Sequence, residues 1–123
     1  MALLEEKIYT VLSSAANVTA ITGLRIYPVI RPQDSALPAI TYTRISGGQI
    51  SSLTSYSHLE SPRIQIDVWT DTYGAGKALA IYVRNAMLAA TTFQAIIESD
   101  NDSWEEDPEM YRVSMDFFVW HND

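Results

Sequence analysis

Ten consecutive residues, Tyr111-Arg112-Val113-Ser114-Met115-Asp116-Phe117-Phe118-Val119-Trp120, alternate between two kinds of side chain. A period of two sends successive side chains to opposite faces of a strand, so the phase of this pattern decides which face is core. Tyr111, Val113, Met115, Phe117 and Val119 form the apolar face. Arg112, Ser114, Asp116, Phe118 and Trp120 form the other, whose C-terminal end is aromatic. That second face is more apolar than a solvated sheet requires, which calls for a cover: a helix, or a second copy of the chain. Ile64-Gln65-Ile66-Asp67-Val68-Trp69 alternates in the same way.

The remaining elements follow from periodicity and turn chemistry. Leu4, Ile8, Val11, Leu12 and Ala15 fall at helical spacing over residues 3–16, with Asn17 suited to end that helix. A short turn is expected over Thr19–Thr22, then a strand from Arg25 to Val29 that Pro28 confines to an edge or an end. Residues 31–38 read as a loop. Ala39–Ser46 is a strand with Ile40, Tyr42 and Arg44 on one face and Thr41, Thr43 and Ile45 on the other. Gly47–Ser61 is a long, Ser-rich loop, expected to be the most mobile internal segment. Arg63–Thr70 is a strand, and Asp71 is the expected N-cap of a helix over Tyr73–Ala90. Leu79, Tyr82, Val83, Ala86, Met87 and Ala90 make that helix's buried stripe, while Gly74 and Gly76 weaken its first turn. Phe93–Glu98 reads as a strand, followed by an acidic loop to Pro108 and the long final strand. The order α-β-β-β-α-β-β implies an α+β fold, a mostly antiparallel sheet with two helices packed on one face. Without internal repeats or linkers, residues 1–123 are expected to form one domain.

The chain has no cysteine, so disulfide frameworks, thiolate zinc sites and thiol nucleophiles are excluded. Its start carries Glu5 and Glu6 where a secretion signal needs bases, and no stretch approaches the roughly 18 apolar residues of a membrane span. A protein made and used in a cytoplasm-like compartment is expected, with no membrane partner. The net charge of −7 is unevenly placed. Residues 1–61 hold four bases and four acids; residues 62–123 hold four bases and eleven acids. Seven of those acids (Glu98, Asp100, Asp102, Glu105, Glu106, Asp107 and Glu109) lie in one twelve-residue segment without a base. Such a segment repels DNA rather than holding it.

The acidic run fails as an EF-hand loop. Counted from Asp100, the fifth position is Trp104, the sixth Glu105 and the twelfth Tyr111, where oxygen ligands, Gly and Glu are needed. It reads as a solvated hairpin loop, with no metal or cofactor implied. Ser57, His58 and Glu60 could be drawn as a triad, but three residues on one loop are not held in nucleophilic geometry. No catalytic residue is assigned. Ile50, Leu53, Tyr56 and Leu59 are the sparse anchors of the long loop, which either folds onto the sheet or orders against a partner. With Phe118 and Trp120 they are the candidate partner interface, Trp120 foremost among the three tryptophans.

The order and spacing of several strings resemble the small tail-completion proteins of long-tailed bacteriophages (tail-terminator or head–tail joining proteins). These are Arg25-Ile26-Tyr27-Pro28, Pro32 with Leu37-Pro38 before a strand ending near Ile45-Ser46-Gly47, and the Arg63–Trp69 strand. Thr72-Tyr73 opening an Ala-rich helix, Tyr111–Phe117 and Val119-Trp120-His121 continue the likeness. The resemblance implies a structural virion protein of the tail or neck, assembled in the host cytoplasm. It implies a hexameric ring that caps the tail tube and meets the head connector. Asp100, Asp102, Glu105, Glu106, Asp107 and Glu109 would then line a lumen through which DNA passes unbound. The alternative from a different class is a monomeric or dimeric ligand-binding, metal-binding or enzymatic domain using residues 98–109 and His58.

Overall fold

Burial follows the alternation of the last strand. In the computed structural model, which describes residues 4–31, 36–46, 59–60, 62–106 and 109–122, Val113, Met115, Phe117 and Val119 are all buried. The described elements run α1 (Leu4–Ser14), α2 (Ala16–Thr22), β1 (Ile26–Pro28), β2 (Ala39–Ser46), β3 (Leu59–Glu60), β4 (Arg63–Thr70), α3 (Tyr73–Ala89), β5 (Gln94–Glu106) and β6 (Glu109–Asn122). The α+β class and the mostly antiparallel sheet match expectation. The two additions are α2 and the two-residue β3.

β6 is the shared strand. It pairs antiparallel with β4, from Arg63↔Phe118 to Thr70↔Tyr111, and with β5, from Gln94↔Trp120 to Glu106↔Glu109. β2 joins the far side of β4, and β1 pairs with β2 in parallel, the one departure from the antiparallel pattern among the described strands. β1 lies at the sheet edge with Pro28 as its last residue, where a missing N–H is tolerated.

All three helices share the core with one sheet face. Leu4, Ile8 and Leu12 of α1, Val18 of α2 and Leu79, Val83 and Met87 of α3 join Ile40, Ile64, Ile66, Val68, Met115 and Phe117. Fully burying each such side chain contributes about 1.5–3 kcal/mol before entropic costs. Tyr82, expected on the buried stripe of α3, is exposed; Ala80 and Gly76 take the places beside Leu79 and Val83.

Helix boundaries moved for identifiable reasons. The first helix stops at Ser14 because Ala15 is extended, and α2 restarts on the Ala15 carbonyl, which accepts from Val18 and Thr19 N–H at 3.0 Å each. Asn17 therefore lies inside α2. Gly23, at φ 58°, ends that helix with its N–H bonded to Thr19. Thr72, not Asp71, caps α3: its hydroxyl accepts from Ala75 N–H at 3.2 Å.

The acidic segment differs most from expectation. Residues 99–106, read as loop, continue β5 beyond a register shift between Ile97 and Ser99 and pair with β6 throughout. The long ladder of β6 overrides the weak strand preference of Ser, Asp and Asn. As an outermost strand paired to β6 alone, β5 also gains from its carboxylates, which discourage unwanted edge pairing. The expectation for Gly47–Ser61 falls mainly outside the described residues.

Arg25 ties together two of the strings noted in the sequence. Its Nε donates to the Pro38 carbonyl at 2.8 Å and its Nη2 to the Ile21 carbonyl at 3.3 Å. The end of α2 is thereby fastened to the approach to β2. Arg25→Ala should lower unfolding free energy by about 1.5–3 kcal/mol, the range for hydrogen bonds from charged groups, as read by the urea midpoint. The two glycines of α3 should behave oppositely. A Cβ at Gly76 would stand 2.8 Å from Thr70 Oγ1, while one at Gly74 meets nothing within 4 Å. Thr70 cannot easily yield, since its hydroxyl donates to the Thr72 carbonyl at 2.7 Å. Gly74→Ala should raise stability by about 0.5–1 kcal/mol through helix propensity. Gly76→Ala should lower it by about 1–3 kcal/mol through overpacking. Thermal melts of the two variants check both signs.

Candidate functional site on the open face of the sheet

Among the described residues, no helix covers the sheet face opposite the core. The alternation places Thr41, Thr43 and Ile45 of β2, Gln65, Asp67 and Trp69 of β4, and Arg112, Ser114, Asp116, Phe118 and Trp120 of β6 on that face. Most are half-buried.

Its centre is a closed polar group. Asp67 is only 6% exposed, and it accepts from Gln65 Nε2 at 3.0 and 3.1 Å and, through a short contact, from Ser114 Oγ. A buried acidic side chain is costly unless it is hydrogen-bonded, and Gln65 and Ser114 supply those bonds. The group works as a structural tie across β4 and β6.

On either side lies an aromatic–arginine cluster. Towards the end of β6, Phe118 and Trp120 have ring centroids 6.4 Å apart, and the Arg63 guanidinium sits 5.5 Å from the Phe118 ring. Arg63 is also bonded to Glu98 across the sheet. Towards the start of β6, Trp69 donates from Nε1 to Thr41 Oγ1 at 3.0 Å, with Arg112 and Arg31 5.3 and 6.0 Å from its ring. Arg31 Nη2 also contacts Met110 Sδ at 3.8 Å. Beside this second cluster opens a cleft of about 430 Å³, floored by Thr41, Thr43, Gln65 and Asp67 and lipped by Val29, Ile30 and Ile45.

The lip has a local cause. Val29 adopts φ 67°, a conformation that costs a β-branched residue about 1–3 kcal/mol and persists only when its surroundings impose it. Its N–H donates to the Tyr42 carbonyl at 2.9 Å, which holds the chain there and leaves Val29 and Ile30 on the surface.

The expected site residues are divided by this geometry. Phe118 and Trp120 lie together on the open face. Ile50, Leu53 and Tyr56 lie outside the described residues, as does His58, and Leu59 is described only through its backbone pairing with Asn122. Asp100 and Asp102 are opposite Met115 and Val113, on the helix side of the sheet. Asp102 accepts from Tyr73 Oη at 2.8 Å and from Lys77 Nζ at 3.3 Å. The Tyr73 hydrogen bond, with Lys77 beside it, holds its carboxyl below the usual range. These donors occupy the oxygens that a cation would use. Glu105, Glu106 and Glu109 are placed by backbone pairing alone, and Asp107 lies outside the described residues.

The cleft with Arg31, Trp69 and Arg112 was not anticipated. The available signal was the phase of Trp69, a large aromatic on the polar side of an alternating strand. What periodicity does not carry is that residues 29–31 come to lie beside it.

The fold has a full-length counterpart. A chain in the virion of a native gene transfer agent particle superposes with a TM-score of 0.79 at 19% identity, covering 98% of this chain and 95% of that one. Identity at that level speaks to the fold alone. A crystal structure of a protein from Akkermansia muciniphila overlaps more loosely, with a TM-score of 0.44 and 11% identity over 70% of this chain and 43% of that one, and bears on nothing here. No curated protein matches the sequence. The sequence does match the family described as Tail completion protein gp17 over residues 6–122, from the first turn of α1 to the last residue of β6, and the chain belongs to that family.

Proposed function

We propose that this tail-completion protein acts without catalysis, as a hexameric ring that closes the tail tube and joins it to the head connector. The observation that carries the reading is the open sheet face, where Phe118, Trp120, Trp69 and their arginines sit half-buried with no helix across them among the described residues. Aromatic and arginine side chains of this kind are the usual anchors of protein interfaces. Membership of the tail-completion family and the full-length likeness of fold to a chain of a virion particle support a place in the particle, and the neck is our reading of that place.

We read the association as heterologous, a contact between two unlike surfaces, which closes into a ring when its rotation permits. The acidic segment then has a use at the centre. Carboxylates of residues 98–109 other than Glu98 and Asp102, which Arg63 and Lys77 hold, would face the passage and repel phosphates, leaving DNA free to slide. Phe118 and Trp120, with the long loop carrying Ile50, Leu53, Tyr56 and Leu59, would meet the tube or a neighbouring subunit.

Tail-tube capture and particle assembly test this reading. The protein should be retained by assembled tube protein, and Trp120→Ala with Phe118→Ala should weaken retention by at least about tenfold, the scale of interface hot spots. Particles lacking the gene should accumulate separate heads and tails in negative stain. Joined, infectious particles from the deletion would overturn the proposal.

A further inference from the structure

The cleft beside Trp69 has the chemistry of a receptor for a segment both aromatic and acidic. Its lip is apolar, with Val29 and Ile30 67% and 75% exposed. Behind the lip, Arg112 stacks on Trp69, yet its Nε is buried without a hydrogen-bond partner among the described residues. Ser103 Oγ, directly across the ladder from Arg112, is in the same condition. Donors already withdrawn from water gain most from an arriving acceptor, and a guanidinium suits a carboxylate above other groups.

The chain carries such a segment itself. Trp104 is 51% exposed near the end of β5, inside the run of seven acids without a base. No molecule can place this segment in its own cleft. Trp104 is paired with Tyr111 and so shares a face with Asp102, which α3 holds through Tyr73 and Lys77. Arg112 and Trp69 lie on the opposite face. The occupant must come from another copy.

We propose that the cleft receives the β5–β6 hairpin of a second copy, entering by Trp104, so that copies join head to tail. The inference rests on the ring reading above and specifies the contact that builds the ring. Each hairpin spans from its own subunit to the next, its aromatic against the apolar lip and a carboxylate against Arg112. Of the seven acids, Glu98 and Asp102 are already held by Arg63 and by Tyr73 with Lys77, so the carboxylate that meets Arg112 comes from the others.

The absence of native cysteine makes a direct test clean. Chains bearing Ile45→Cys at the cleft rim and Asp100→Cys on the same hairpin face as Trp104 are mixed with a short thiol crosslinker, free and assembled on tail tubes. A mixed crosslinked dimer, accumulating at least about tenfold above either variant alone, is the expected result. Trp104→Ala and Arg112→Glu, each placed in the partner chain, should reduce it by about tenfold or more. Trp104 is exposed, so its variant should keep the wild-type melting temperature, which separates lost docking from lost folding. Rings that bind tubes without a mixed product would overturn this contact and leave the proposed function standing. Neither rings nor tube binding would overturn both, and a mixed product indifferent to Trp104→Ala and Arg112→Glu would overturn the assigned contacts.

Discussion

The structure depends on the two-sided pairing of β6. Its backbone bonds β4 on one edge and β5 on the other over almost its full length, and its alternate side chains divide core from open face. The helical layer rests on Val113, Met115, Phe117 and Val119. The cleft and the aromatic clusters rest on Arg112, Phe118 and Trp120, the residues between them. Shifting the register of β6 by one residue would exchange these sets, exposing the core and burying charge. Register here is specified by the large energetic difference between the two faces.

The open face is internally tied and, among the described residues, carries no helix. Asp67, held by Gln65 and Ser114, links β4 to β6, and Trp69 links β4 to β2 through Thr41. These contacts limit the rotamers of the surrounding side chains, and in the proposed association that would lower its entropic cost. Arg112 and Arg63 are likewise held over aromatic rings instead of ranging through solvent. A surface so ordered suits assembly, where the same contact must form repeatedly with one geometry.

Much of the fold was legible because alternation and helical spacing report burial directly. β2 and β4 have the bounds their patterns indicated, and α3 ends one residue earlier than expected. Misreadings arose where local chemistry was outvoted. Ser, Asp and Asn after Glu98 suggested a loop, yet a long partner strand drew them into a ladder. Asn17 and Asp71 were good local candidates for helix ends, but the Ala15 carbonyl and the Thr72 hydroxyl were better positioned. Phe118 and Trp120 were identifiable as interface candidates from the phase of β6. The cleft was not, because Arg31, Trp69 and Arg112 are widely separated in sequence and meet only through the packing of three strands and the turn at Val29.

The sequence by itself determined the α+β class, the core phase of β4 and β6, the acidic bias of the second half and the likeness to tail-completion proteins. Each is a property of residue type and spacing along the chain, written without reference to distant contacts. Tertiary structure alone decided that β1 runs parallel to β2, that the acidic run is strand, and that two arginines meet one tryptophan beside an apolar lip. Those outcomes depend on which strands become neighbours. That choice is made by burying the helices and β6 together, a collective balance that no local pattern records.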